Sequence, residues 1–113
     1  MRIPCPLVLV MMALVPATSF SGEKPKDPNT VVIENFSFSP QILVIPAGTK
    51  VTWINRDDVP HTVVSVDKLF KSSPLDTDDV FSFTFAAPGT NAYFCSIHAH
   101  MTGTIVVVGP AAH

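Results

Sequence analysis

A small all-β sandwich or barrel, of the Greek-key kind, is the fold this sequence predicts. Three observations carry that expectation. Short runs rich in β-branched and aromatic residues recur at roughly eight to twelve residue spacing between turn signals. Phe81, Phe83 and Phe85 alternate with Ser82 and Thr84, the period of two that places alternate side chains on one face of a strand. Eleven prolines in 113 residues break helix interiors, and no stretch after residue 21 offers a helical apolar stripe.

Met1 to Ser21 reads as a secretory signal peptide. Arg2 precedes an apolar run from Leu7 to Val15, and small residues follow at Ala17, Ser19 and Ser21, the order of charged region, apolar region and cleavage site. That apolar run is far shorter than the roughly 20 residues needed to cross a bilayer, so no membrane insertion is expected after cleavage. Residues 22–29 (GEKPKDPN) are polar with two prolines and read as a flexible arm. Residues 30–113 then form a single domain.

Within that domain the expected strands are Thr30–Phe38, Gln41–Ile45, Lys50–Asn55, His61–Val66, Val80–Phe85, Thr90–Phe94 and Thr102–Val108. Ser39-Pro40, Pro46-Ala47-Gly48, Asn55 to Asp58, Ser73-Pro74 and Pro88-Gly89 supply the turns between them. The alternation of Phe81, Phe83 and Phe85 predicts three rings on one buried face. Val51 and Trp53 flank Thr52 in the same manner. Asp76, Asp78 and Asp79 lack the glycine and terminal glutamate of a calcium loop, and read as a solvated acidic turn.

Composition narrows the function. Seven Lys and Arg against nine Asp and Glu give a net charge of −2, with no basic face for a nucleic-acid backbone. Loss of the leader removes Arg2 and Cys5, leaving six basic against nine acidic residues, a net −3, and one cysteine, Cys95. A lone cysteine in an oxidising compartment has three readings: an intermolecular disulfide, a nucleophile, or a thiolate held by a metal.

Around it stands Cys95-Ser96-Ile97-His98-Ala99-His100-Met101, and His61 follows Val59-Pro60 on a separate segment. One thiolate, two imidazoles and one thioether satisfy copper in both its +1 and +2 states. His100, between two candidate ligands in a tight turn, is expected to point away from the metal. A nucleophilic cysteine enzyme would need an orienting group and an oxyanion device, and the sequence offers none.

These segments carry a resemblance. Val59-Pro60-His61-Thr62-Val63 and Tyr93-Phe94-Cys95-Ser96-Ile97-His98-Ala99-His100-Met101-Thr102-Gly103, with Asn55-x-Asp57 and Ala87-Pro88-Gly89-Thr90, resemble the two copper motifs of the cupredoxins, most of all the small amicyanin- and plastocyanin-like members. The resemblance runs from about Thr30 to Val108. It implies a mononuclear type 1 copper site with His61, Cys95, His98 and Met101 as ligands. It also implies a Thr62 N–H donating to the Cys95 sulfur, a Thr62 hydroxyl bonded to Ser96, and a bracing role for Asn55.

In function, the resemblance implies a non-enzymatic, monomeric single-electron carrier, with a copper-delivery protein of the same fold as the alternative. Val59, Pro60, Ala99 and Phe70 are the expected members of an apolar patch around His98. The implied partners are a redox donor and an acceptor, such as a c-type cytochrome or a dehydrogenase. The leader implies export, with the periplasm as the expected compartment.

Overall fold

The structure, a computed structural model, describes residues 28–109. The expected leader, most of the arm and His113 lie outside the described residues. Eight strands follow one another: β1 (Thr30–Glu34), β2 (Ser37–Ser39), β3 (Ile42–Pro46), β4 (Thr49–Asn55), β5 (Val64–Ser65), β6 (Val80–Phe85), β7 (Gly89–Phe94) and β8 (Thr102–Val108). They form two four-stranded sheets, in the orders β2-β1-β4-β6 and β3-β8-β7-β5. No helix among the described residues is long and apolar enough to cross a membrane.

Both sheets are mixed. β1 runs parallel to β4, pairing Val31 with Trp53 and Ile33 with Asn55. β3 runs parallel to β8, while β7 is antiparallel to β8 and β5 to β7. The period of two decides which residues face inward: Val31 and Ile33 from β1, Val51, Trp53 and Asn55 from β4, and Gly103, Ile105 and Val107 from β8 are all buried. Each such aliphatic or aromatic side chain contributes about 1.5–3 kcal/mol on leaving water.

Trp53 is the centre of this core. Its ring lies 5.3 Å from Tyr93 and 5.6 Å from Phe70, centroid to centroid. Tyr93 in turn packs edge-on against Phe38 at 4.7 Å. Gly103 faces Tyr93 across the β7–β8 pair, and a Cβ there would lie 2.4 Å from the ring's Cζ and Oη. The glycine is what lets the ring lie flat against the sheet. Gly48, at φ +92°, turns the chain from β3 into β4, a conformation side chains disfavour.

Three expectations need correction. The run Thr30–Phe38 is two strands, because Asn35 and Phe36 adopt φ of 55° and 54° and reverse the chain between β1 and β2. Within His61–Val66 only Val64–Ser65 joins a sheet; His61 instead forms an isolated bridge with Leu75. Of the three alternating phenylalanines, Phe85 is buried while Phe81 and Phe83 are half-buried against the core. Their strand β6 is the edge of its sheet, so the core cannot enclose the whole row.

Candidate metal centre

The strand ends deliver the site. β4 finishes at Asn55, six residues before His61, and β7 finishes at Phe94, one before Cys95. β8 begins at Thr102, one after Met101. Cys95 continues the inward alternation of Tyr93 and is buried, as are His61 and Met101. His98 is half-buried. The loop that carries Cys95, His98 and Met101 is closed by its own backbone: the Cys95 N–H donates to the Met101 carbonyl (3.1 Å), and the Met101 N–H to the His98 carbonyl (2.9 Å).

His61 is held from three sides. Its N–H and carbonyl bond Leu75 at 3.1 and 2.7 Å, and its Nε2 lies 2.7 Å from Asp57 Oδ2. Its Nδ1 faces the Cys95 sulfur at 3.8 Å, and His98 Nδ1 faces the same sulfur at 3.8 Å. The three donor atoms lie within 4.8 Å of one another. Metal bonds of roughly 2.3 Å to sulfur and 2.0 Å to nitrogen, at a trigonal angle, put such donors roughly 3.7 Å apart. The donor set therefore fits one small transition-metal ion, and its mixture of thiolate and imidazole suits copper.

Around the donors lies a network of hydrogen bonds. The Thr62 N–H donates to Cys95 Sγ at 3.4 Å. Thr62 Oγ1 accepts the Ser96 N–H at 2.7 Å and lies 2.8 Å from Ser96 Oγ, tying the two ligand segments together. Asn55, fully buried, donates to the Val59 and Leu75 carbonyls at 2.9 and 2.8 Å and accepts the Asp57 N–H at 2.8 Å. It braces the loop leading to His61. Burial pushes the Cys95 thiol up, but the Thr62 N–H, both histidines and the Ile97 N–H outweigh that and bring it down to about 6. The site stabilises a thiolate, the form a metal takes.

The structure brings His61, Cys95 and His98 together and sets Met101 on the same closed loop, buried beside them. The bonds expected of Thr62 and Asn55 are present. His100 is exposed and lines a cleft of about 340 Å³ with Phe36, Phe38 and Met101. Phe70 is a correction: it is buried in the core against Trp53 and Phe83 and takes no part in a surface patch.

The roles of two residues at the site are not given by the sequence. Asp57 holds His61, and Phe36 places its ring edge-on to both imidazoles, at centroid distances of 5.3 Å to His61 and 4.9 Å to His98. The spacing Asn55-x-Asp57, two residues apart and four before His61, was the available signal for the first. Nothing local announces the second.

A two-sheet sandwich with one buried Cys and two His at a single end defines a class, the mononuclear metal-binding sandwiches. The Cupredoxin-like domain family matches residues 6–107, and the chain belongs to it. Amicyanin-alpha of Methylorubrum extorquens is 34% identical over 90 residues, covering 75% of this chain and 76% of that protein. Among solved structures, a purple cupredoxin from Nitrosopumilus maritimus is 37% identical with a TM-score of 0.67, covering 69% of this chain and 97% of that one. A copper-containing nitrite reductase from Thermus scotoductus matches at 33% identity and TM-score 0.69, over 81% of this chain but 25% of its own. Family and donor set agree on one copper ion as the cofactor.

Proposed function

We propose that the protein is a type 1 copper electron carrier, in which His61, Cys95 and His98 would hold the ion and Met101, buried on the same loop, would supply a weaker thioether donor. The observation that carries this reading is the geometry of the donors: two imidazole nitrogens each 3.8 Å from one buried sulfur, with His61 and Cys95 held by hydrogen bonds with Asp57 and Thr62. Copper would supply a one-electron couple between its +1 and +2 states.

The protein's part is to keep the donors still. The Leu75 backbone and Asp57 fix His61, the closed loop fixes His98 and Met101, and Thr62 with Ser96 joins the two segments. A site that moves little between oxidation states transfers an electron with little reorganisation. The Thr62 N–H on the sulfur delocalises thiolate charge and favours the reduced state. His98, half-buried, is the donor nearest solvent and the natural exit for the electron. The exposed or half-buried Val59, Pro60, Ala99 and Ile97 are the residues we assign to an apolar docking surface around it.

The carrier works with a redox donor and an acceptor, such as a c-type cytochrome or a dehydrogenase, as a monomer in the periplasm after removal of residues 1–21. The amicyanin relatives support this placing, and the net charge of −3 favours a partner with a basic face. Electron self-exchange of the copper-loaded protein, set beside copper transfer to a chelator, tests the reading. Fast exchange with tightly held copper is expected. Slow exchange with ready release would make the protein a copper-delivery module instead.

A further inference from the structure

The carboxylate of Asp57 does more than hold His61. Its Oδ1 accepts the Asn35 N–H at 2.8 Å, and its Oδ2 accepts the Phe36 N–H at 2.9 Å as well as facing His61 Nε2 at 2.7 Å. One side chain thus joins the His61 loop to the β1–β2 turn, more than twenty positions earlier in the chain. Burial pushes the Asp57 carboxyl up, but the Phe36 N–H, His61 and the Asn35 N–H together hold it below the usual carboxylate range.

The turn it grips is unusual. Asn35 and Phe36 are consecutive residues at φ of 55° and 54°, a left-handed conformation that an aromatic residue rarely adopts. Two successive N–H groups aimed at one anion are a recognised way to hold such a turn. The cost of the turn is matched by where it puts the Phe36 ring. Although half-exposed, that ring stands nearly perpendicular to both imidazoles, at 90° to His61 and 88° to His98. Edge-to-face contact of this kind is favourable and directional. Among the described residues, the other ring contact each imidazole makes is with its fellow imidazole, at 5.0 Å between centroids.

We propose that Asp57 is a positioning residue which orients His61 and, through the β1–β2 turn, seats Phe36 as an aromatic clamp across the two imidazoles. Donation from Nε2 to Asp57 leaves His61 Nδ1 as the lone-pair atom facing Cys95. The clamp restrains His98, the donor least enclosed by the fold, and screens the site from water on its open side. The inference rests on the copper reading given above.

A double-mutant cycle tests it, read as the rate of copper(I) loss to a chelator and as reduction potential. Phe36→Ala is expected to speed copper loss about tenfold, since two ring contacts disappear. In the Asp57→Asn background the same change is expected to matter by less than about twofold, because the ring has already lost its seat. Asp57→Asn alone raises the potential, since a negative charge beside a ligand is removed. An undiminished effect of Phe36→Ala in the Asp57→Asn background, or none in the wild type, overturns the clamp.

If Asp57→Asn does not fold, NMR of the reduced wild type decides. Nuclear Overhauser contacts from the Phe36 ring to both imidazoles are expected, and their absence overturns the proposal. A wild type that binds no copper fails the underlying reading; one that holds copper but ignores Phe36→Ala fails the clamp alone.

Discussion

Gly103→Ala adds one methyl group at the strand opposite Tyr93, and the structure sets its cost. The new Cβ would stand 2.4 Å from Tyr93 Cζ and Oη, where ordinary contact begins near 3.4 Å. The ring must therefore retreat by about 1 Å, and it has nowhere to go: it is 1% exposed and pressed between Phe38 at 4.7 Å and Trp53 at 5.3 Å. Overpacking of this kind costs about 1–3 kcal/mol, and a rigid aromatic neighbour places this site at the upper end. For a domain of this size each kcal/mol lowers Tm by about 4–8 °C, so a drop of about 10–20 °C is expected in thermal unfolding. Tyr93→Phe should not rescue it, because Cζ itself is in the way. Tyr93→Leu should, so that Gly103→Ala costs less than about 1 kcal/mol in that background. A single variant melting within about 2 °C of the wild type would refute the packing argument.

Other expectations follow from the same geometry. Asn55→Ala strands the Val59 carbonyl and the Asp57 N–H and leaves the Leu75 carbonyl only the His61 N–H, and should cost about 3 kcal/mol in urea unfolding while loosening copper. In the copper-free protein the Cys95 thiol is lowered from 9.0 to about 6. A depressed pKa stabilises the fold above the unfolded value, so about 4 kcal/mol present above pH 9 is lost as pH falls towards 6; thiolate absorbance and unfolding measured across that range check it, and an ordinary thiol titration would contradict it. Burial raises Tyr93 from 10.0 to about 12, the Trp53 side chain opposing. Stability is then complete below pH 10 and declines by about 3 kcal/mol as pH rises towards 12, and Tyr93→Phe should flatten that alkaline decline.

The sequence made most of the sandwich and its donor set legible, for physical reasons. Strand alternation is local, so the inward Val51 and Trp53 and the run Thr102–Val108 could be read directly. Cys95, His98 and Met101 lie within one short loop, and His61 follows a proline, so their chemistry is concentrated where the eye can find it. The contacts missed are those that only tertiary folding creates. Asp57 and Phe36 are twenty-one positions apart, and a left-handed phenylalanine carries no turn signature of its own. Phe70 was misplaced for a related reason: it stands in a segment without strand periodicity, Asp67 to Leu69 beside it are exposed, and only the aromatic cluster around Trp53 draws it inward.

The central claim is that one buried thiolate, Cys95, binds copper between His61 and His98. Absorption spectroscopy of the purified chain after addition of Cu(II) tests it most directly. An intense visible band from sulfur-to-copper charge transfer is expected at one copper per chain, abolished by Cys95→Ala. A colourless copper complex, or a band that survives Cys95→Ala, would contradict the account.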